Sequence, residues 1–269
     1  MTALAIRVDN VAKSYRGAGG YFGRGGVTVQ AVGGVSLSVP TGTSFGLVGQ
    51  SGSGKSTLAR LIAGLEAPDT GAIEICGMPA PPPRSQAWRA LRRKMQVVFQ
   101  DPYSSLDPLL TVGQSVAEPL INMMAMNRAV RTEAVIEALA AVRLPARLYA
   151  AYPFQLSGGE RQRVCIARAL VLRPDVVICD EAVSALDVET QVQVVELLRE
   201  LQTSHRLTYL FISHDIAIVS HLCEEVAVMK DGKIVELGSS RHVLEQPAHP
   251  YTRSLVDAAM YFQRGRLRG

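Results

Sequence analysis

The chain has 269 residues, 48% of them hydrophobic and 19% charged. That fits one large α/β domain, or a core with an inserted lobe, and is too apolar for a disordered chain. Its net charge of +4 comes from dispersed Lys and Arg, read as solvated surface rather than a nucleic-acid face. Two groups stand out: Arg89, Arg92, Arg93 and Lys94, and a tail with Arg264, Arg266 and Arg268 that is suited to a membrane surface. No apolar run approaches the ~20 residues of a membrane span, and the N-terminus has no signal-peptide pattern, so secretion is not expected. Cys76, Cys165, Cys179 and Cys223 lack C-x-x-C spacing. They read as core thiols in a reducing compartment, not as a disulfide framework or a zinc site.

In chain order, residues 3–15 predict a strand from Leu4, Ile6, Val8 and then Val11. Gly17, Gly19, Gly20, Gly23, Gly25 and Gly26, with Tyr21 and Phe22 between them, predict a flexible loop, because glycine loses most conformational freedom on ordering. Residues 27–39 alternate again and predict strands of an antiparallel sheet. The apolar run 45–48 then enters Gly49-Gln-Ser-Gly-Ser-Gly-Lys55-Ser56, which fills every fixed position of the phosphate-loop pattern G-x-x-x-x-G-K-[ST].

A helical run over 57–65 follows, with Leu58, Leu61, Ile62 and Leu65 on its apolar face. Between a strand and a helix, Gly49, Gly52 and Gly54 let the backbone of Gln50, Ser51, Ser53 and Thr57 turn its N–H groups toward phosphates, and the helix N-terminus adds its positive end. Lys55 reaches the β- and γ-phosphates and Ser56 offers a hydroxyl to Mg²⁺. The chain is therefore expected to bind a nucleoside triphosphate.

Pro68 to Gly71 predicts a turn, 72–76 a strand, and Pro79 with Pro81 to Pro83 a connection. Residues 95–99 read as a strand ending at Gln100. From Asp101 to about Leu172 the pattern is helical, for instance Val135, Leu139 and Val142 within 130–142. Apolar strands return at 176–179 and 208–212, as a parallel α/β core requires. Residues 226–236 predict a hairpin about Asp231-Gly232.

The strand 176–179 ends in Asp180-Glu181. Adjacent acids at the carboxyl edge of a parallel sheet lie where a nucleotide's Mg²⁺ would be: Asp180 suits the metal, and Glu181 can orient or deprotonate the attacking water. Leu156-Ser-Gly-Gly-Glu-Arg-Gln-Arg163 gives a second anion-binding helix start, with Ser157 as its cap.

The order phosphate loop, Gln100, Ser157-Gly158-Gly159-Glu160, Asp180-Glu181, His214 resembles the ATP-binding subunit of the ABC transporter superfamily over nearly the whole chain. The resemblance implies an α/β P-loop NTPase (RecA-like) parallel-sheet core with an antiparallel β subdomain and an inserted α-helical lobe. The ATPase domain would span 1–238, with the lobe at about 104–172, and 239–269 would form a short C-terminal tail. ATP and Mg²⁺ are the implied cofactors. Gln100 would touch Mg²⁺ and the water, Ser56 and Asp180 would complete the metal site, and His214 would contact the γ-phosphate. Tyr15 would stack on adenine, with Tyr21 and Phe22 as competitors. Ser157, Gly158, Gly159, Glu160 and Asp187 would serve the ATP of a second ATPase subunit packed head to tail. Glu160 stands where Gln is commoner in the family and is expected to alter surface contacts more than phosphate contacts.

Val98-Phe-Gln-Asp-Pro-Tyr-Ser-Ser-Leu-Asp-Pro108, the Gly-rich insertion before Ala31-Val32, and His249-Pro-Tyr-Thr252 resemble bacterial peptide/nickel importer ATPases. That branch implies two transmembrane permease subunits, an indirect extracytoplasmic substrate-binding protein, no nucleic acid, and a place on the cytoplasmic face of the bacterial plasma (inner) membrane. With no Cys after Cys223, no iron–sulfur cluster is expected. Ala182 replaces the commoner Pro without touching Glu181. The rival is a soluble ABC-type ATPase acting on DNA or ribosomes, whose usual coiled coil, zinc module or second ATPase half has no counterpart in this sequence.

Overall fold

The computed structural model describes residues 3–16 and 28–266, with side chains described as far as residue 259. The expected glycine loop at 17–26, with Tyr21 and Phe22, lies outside the described residues, as do the side chains of the C-terminal arginine group.

The chain opens with β1 (Leu4–Arg16), β2 (Thr28–Pro40) and β3 (Ser44–Val48), then α1 (Lys55–Ile62), β4 (Thr70–Ile75), β5 (Met78–Pro79), α2 (Trp88–Lys94) and β6 (Met95–Val98). A helical stretch follows: α3 (Pro102–Ser105), α4 (Val112–Met123), α5 (Arg128–Ala141), 3-10 turns at Ala146–Ala150 and Pro153–Gln155, and α6 (Gly158–Leu170). The chain then alternates through β7 (Val176–Asp180), α7 (Val188–His205), β8 (Thr208–Ser213) and α8 (Ile216–Leu222). It ends with the hairpin β9 (Glu225–Lys230) and β10 (Lys233–Ser239), then α9 (Ser240–Glu245) and α10 (Pro250–Arg266).

The strands form an antiparallel sheet of order β2-β1-β4-β5 and a larger sheet of order β10-β9-β3-β8-β7-β6. In the larger sheet every neighbouring pair is parallel except the β9–β10 hairpin. Its central strands are apolar without interruption because both faces are covered. Successive side chains alternate between two cores. Val177, Cys179, Tyr209 and Phe211 face one; Val176, Ile178, Leu210 and Ile212 face the other.

The first core continues without a break into the helical stretch through Val112, Val116, Leu120, Val135, Leu139 and Val142. A 14-residue helix such as α5 is marginal alone in water. Burial of Val135 and Leu139, at about 1.5–3 kcal/mol each, is what holds it. The second core joins the antiparallel sheet to α1 and Trp88. The residues after Gly238 also pack inward: Val243 and Val256 belong to the first core.

Three local readings change. Leu4 is exposed and Ala5 buried, because β1 shifts register between Leu4 and Ile6. A second shift between Val8 and Val11, with Asn10 at φ +46°, returns Val11 to the core. Helix α1 stops at Ile62, and Leu65 lies beyond it, exposed. Trp88 presses so closely on Gly64 (φ +64°) that a Cβ there would sit 2.0 Å from the indole. Helix α2 itself is an element that the basic group at 89–94 concealed. The hairpin is as expected, with Asp231 at φ +48° and Gly232 at +77°, the two positive values of a type I′ turn.

All four cysteines are free, and three are buried. Burial pushes the Cys165 thiol up to about 11 and the Cys179 thiol to about 12, so neither is a nucleophile at neutral pH.

Candidate functional site

Parallel register gathers the motif residues at one sheet edge. Val48 pairs with Ser213, Asp180 with Ile212, and Val98 with Cys179. The segments that follow β3, β8, β7 and β6 therefore emerge side by side: the phosphate loop, His214, Glu181 and Gln100. This is the carboxyl end of an open parallel sheet, where such folds bind ligands.

The phosphate loop is shaped by close backbone approach. Gly54 (φ +105°) would place a Cβ 2.2 Å from the Ala31 carbonyl oxygen, and Gly49 one 2.2 Å from that of Met229. Gly232 N–H donates to Ser53 O at 3.0 Å, so β2 and the β9–β10 turn hold the loop from outside. Helix α1 starts at Gly54 with no side-chain cap, whereas α3 to α9 each start under one. Helix α2 also starts without a side-chain cap, but α1 alone of the two follows a glycine loop, and free amides at such a helix start can receive an anion.

Lys55 is 3% exposed, and its Nζ donates to Gly49 O (2.8 Å) and Gln50 O (2.9 Å). Burial pushes its pKa down, while the charges of Glu181 and Asp180 act the other way.

Ser56 Oγ donates to Asp180 Oδ1 at 3.2 Å. Burial raises the Asp180 pKa, against the opposing effect of that hydrogen bond. A hydroxyl and a carboxylate converging beside a phosphate site form a hard-oxygen set that fits Mg²⁺. Among the described residues no group of three or more His, Cys, Asp or Glu could hold a metal. Mg²⁺ commonly needs only one or two carboxylates plus substrate phosphates.

Glu181 stands at φ +51°, a left-handed position that costs a non-glycine residue about 1–2 kcal/mol. Its backbone is fixed on both sides: its N–H donates to Ile212 O at 3.0 Å, and its carbonyl accepts from Ser184 Oγ at 2.9 Å. The carboxylate lies 3.4 Å from His214 Nδ1, with Glu181 mostly buried and His214 open to solvent. Two backbone bonds thus hold Glu181 in its left-handed conformation, with the carboxylate beside His214. Gln100 is exposed at the same edge.

Tyr15 lies at the end of β1, its hydroxyl on the Glu66 carboxylate and Lys13 Nζ 5.9 Å from its ring centroid. Burial and then Glu66 push the phenol pKa up.

The second motif lies apart. Ser157 caps α6, and Glu160 closes a capping box: Ser157 N–H and hydroxyl donate to its carboxylate at 2.9 and 3.0 Å. Glu160 thus also holds the motif serine through this box. Gly159 faces Thr190, whose Cγ2 would be 2.5 Å from a Cβ there. Asp187 caps α7, accepting from Thr190 N–H and Oγ1. Among the described residues no hydrogen bond or ion pair joins the start of α6 to the phosphate loop.

One contact is absent from the sequence reading. Gln50 N–H donates to the Tyr251 hydroxyl at 2.8 Å across 201 residues. Tyr251 belongs to His249-Pro-Tyr-Thr252, but nothing local in that segment points to Gln50.

Residues 32–184 match the ABC transporter family. A di/tripeptide transport ATP-binding protein of Pseudomonas aeruginosa is 41% identical over 96% of this chain and 79% of its own. A dipeptide transport ATP-binding protein of Escherichia coli is 44% identical over 86% of this chain and 69% of its own. Among solved structures, the dimeric post-hydrolysis state of the ATP-binding cassette MJ0796 with ADP and Pi aligns at TM-score 0.77 and 31% identity, covering 88% of this chain and 99% of that one.

Proposed function

This chain belongs to the ABC transporter family, and from that premise we propose that it is the ATP-hydrolysing subunit of a bacterial importer for peptides or related small cargo. It would sit on the cytoplasmic face of the inner membrane against two permease subunits, with a substrate-binding protein engaged indirectly on the far side. The supporting observation is the single sheet edge where an uncapped helix, Lys55, Asp180, Glu181 and His214 meet. The relatives named as di/tripeptide and dipeptide transport subunits favour peptide over a nickel chelate, and favour transport over work on DNA or ribosomes.

In this reading Lys55 and the α1 amides, with Gly49 to Thr57, hold the triphosphate. Ser56, Asp180 and Gln100 would hold Mg²⁺, which supplies charge neutralisation on the phosphate oxygens. Glu181 takes a proton from a water that attacks the γ-phosphorus; the bond to the β-phosphate oxygen breaks, leaving ADP and phosphate. His214 orients Glu181 and reaches the transferred phosphate. Tyr15 offers a ring for adenine.

Ser157, Gly158, Gly159, Glu160 and Asp187 would face the ATP of a second ATPase subunit packed head to tail. Their separation from the chain's own phosphate loop and the dimeric MJ0796 structure support a shared site. ATP then binds the closed pair better than the open one, which is the differential affinity that drives a conformational cycle.

The test is purification of the tagged chain from its own membranes with mass spectrometry of its companions, alongside ATPase assay of Lys55→Ala. Two permeases and a second ATPase, with turnover lost in the variant, are expected. Ribosomes or DNA-repair proteins as companions, or near-normal turnover without Lys55, would overturn the reading.

A further inference from the structure

The phosphate loop has a third outer support beyond β2 and the β9–β10 turn, and it comes from the far end of the chain. Gln50 N–H donates to Tyr251 Oη at 2.8 Å. Tyr251 is itself held in place. Its N–H donates to His249 Nδ1 at 3.1 Å, and its ring packs on the first core with Lys230 Nζ 5.1 Å from the centroid. The preceding turn is clamped from β10, since both carboxylate oxygens of Glu236 accept amides, from Ala248 and His249, at 2.9 Å each. Burial opposes ionisation of Glu236, yet its carboxyl is held below its ordinary range, and the two amide bonds act in that direction. A carboxylate on two amides at a helix start is a strong, charge-assisted anchor.

We propose that Tyr251 is a positioning residue for ATP: its hydroxyl fixes the first half of the phosphate loop, and Glu236 holds Tyr251 where it can do so. This rests on the reading that the loop binds ATP. Gln50 lies within the loop whose carbonyl, with that of Gly49, receives Lys55 Nζ. Fixing the Gln50 amide therefore fixes both the loop's curvature and the resting place of its lysine. Without that bond the loop must be ordered when ATP arrives, and affinity falls by the cost of ordering. Once ATP is bound the chemistry at Glu181 is unchanged, so the effect lies in KM and not in kcat.

The test uses the full chain, with a fluorescent ATP analogue for binding and ATP·Mg²⁺ for turnover. Tyr251→Phe deletes only the hydroxyl. Its Kd and KM are expected to rise roughly threefold to tenfold, the worth of one hydrogen bond, with kcat within about twofold and the nucleotide-free melting temperature within about 2 °C. Glu236→Gln should raise Kd less, and the double variant should bind no more weakly than Tyr251→Phe alone. An unchanged Kd in Tyr251→Phe, or a Kd loss that only follows a lowered melting temperature and kcat, would overturn the proposal. Additive effects of the two substitutions would overturn the route through Glu236. Failure of the unmodified chain to bind the analogue would instead overturn the phosphate-loop reading itself.

Discussion

Replacing Glu181 with Gln separates holding ATP from cleaving it. The amide has the length of the carboxylate, so it can still meet His214 Nδ1 at about the present 3.4 Å. The backbone bonds to Ile212 O and Ser184 Oγ, and the φ of +51°, are untouched. Stability should therefore change by less than about 1 kcal/mol. What is lost is the proton acceptor. General-base catalysis is worth about 10²- to 10⁴-fold, or about 2.7–5.4 kcal/mol of barrier, and phosphate release should fall by that factor. ATP binding should survive, because Lys55, Ser56 and the open start of α1 remain. ATP·Mg²⁺ at 100 times its Kd contributes about 2.7 kcal/mol, which at roughly 2–4 °C per kcal/mol raises the melting temperature by roughly 5–11 °C. Sizing with ATP should show a dimer that persists. Turnover within tenfold of the unmodified chain would remove Glu181 from the chemistry, and loss of the ATP-dependent shift would make its carboxylate a binding group.

Asp180→Asn probes the metal side by pH. Burial raises the Asp180 pKa, so the folded state holds that proton more tightly than the unfolded one, and stability falls as pH rises through the window above the ordinary 3.8. The Asn variant never ionises; without nucleotide it should melt above the unmodified chain at neutral pH, and the gap should close as pH falls toward 3.8. Two glycines of the loop test its packing in urea unfolding. Gly54→Ala drives a Cβ to 2.2 Å from a backbone oxygen and should cost about 2–4 kcal/mol. Gly52→Ala meets nothing within 4 Å at φ +82° and should cost only about 1 kcal/mol of left-handed strain; the reverse order would refute the packing. Thiol labelling of the native protein should modify Cys76 alone, since the other three are buried, with the rest reacting only after denaturation.

Much of this architecture lies open in the amino-acid order because its signals are local. The strand cores at 176–179 and 209–212 are unbroken apolar runs, the pattern of strands covered on both faces. The phosphate loop is continuous, and once these strands are parallel their ends must gather Asp180, Glu181 and His214 beside it. Helix α2 is hidden because its seven residues bury just Trp88 and Leu91, too few to show a period. The β1 register shifts are hidden because a bulge breaks the period of two that reveals a strand. The Glu160 box was legible in principle, since Ser followed three residues on by Glu is capping-box spacing. Tyr251 was not: its link to Gln50 spans 201 residues, and no local pattern encodes such a contact.

The unbroken core beneath the helical stretch and the sheet bears on how such a chain can be re-engineered. α4 and α5 rest on the same apolar mass as Tyr209 and Phe211, so they have no interior that travels with them. Grafting residues 101–172 from another transporter's ATPase would bring a foreign underside onto this sheet. Mismatch would open voids or clashes at about 1–3 kcal/mol per poorly fitted side chain. A working chimera would have to inherit the β7 and β8 positions that face the lobe, Val177, Cys179, Tyr209 and Phe211, together with the graft, so the natural unit of exchange is the lobe with the sheet face it rests on.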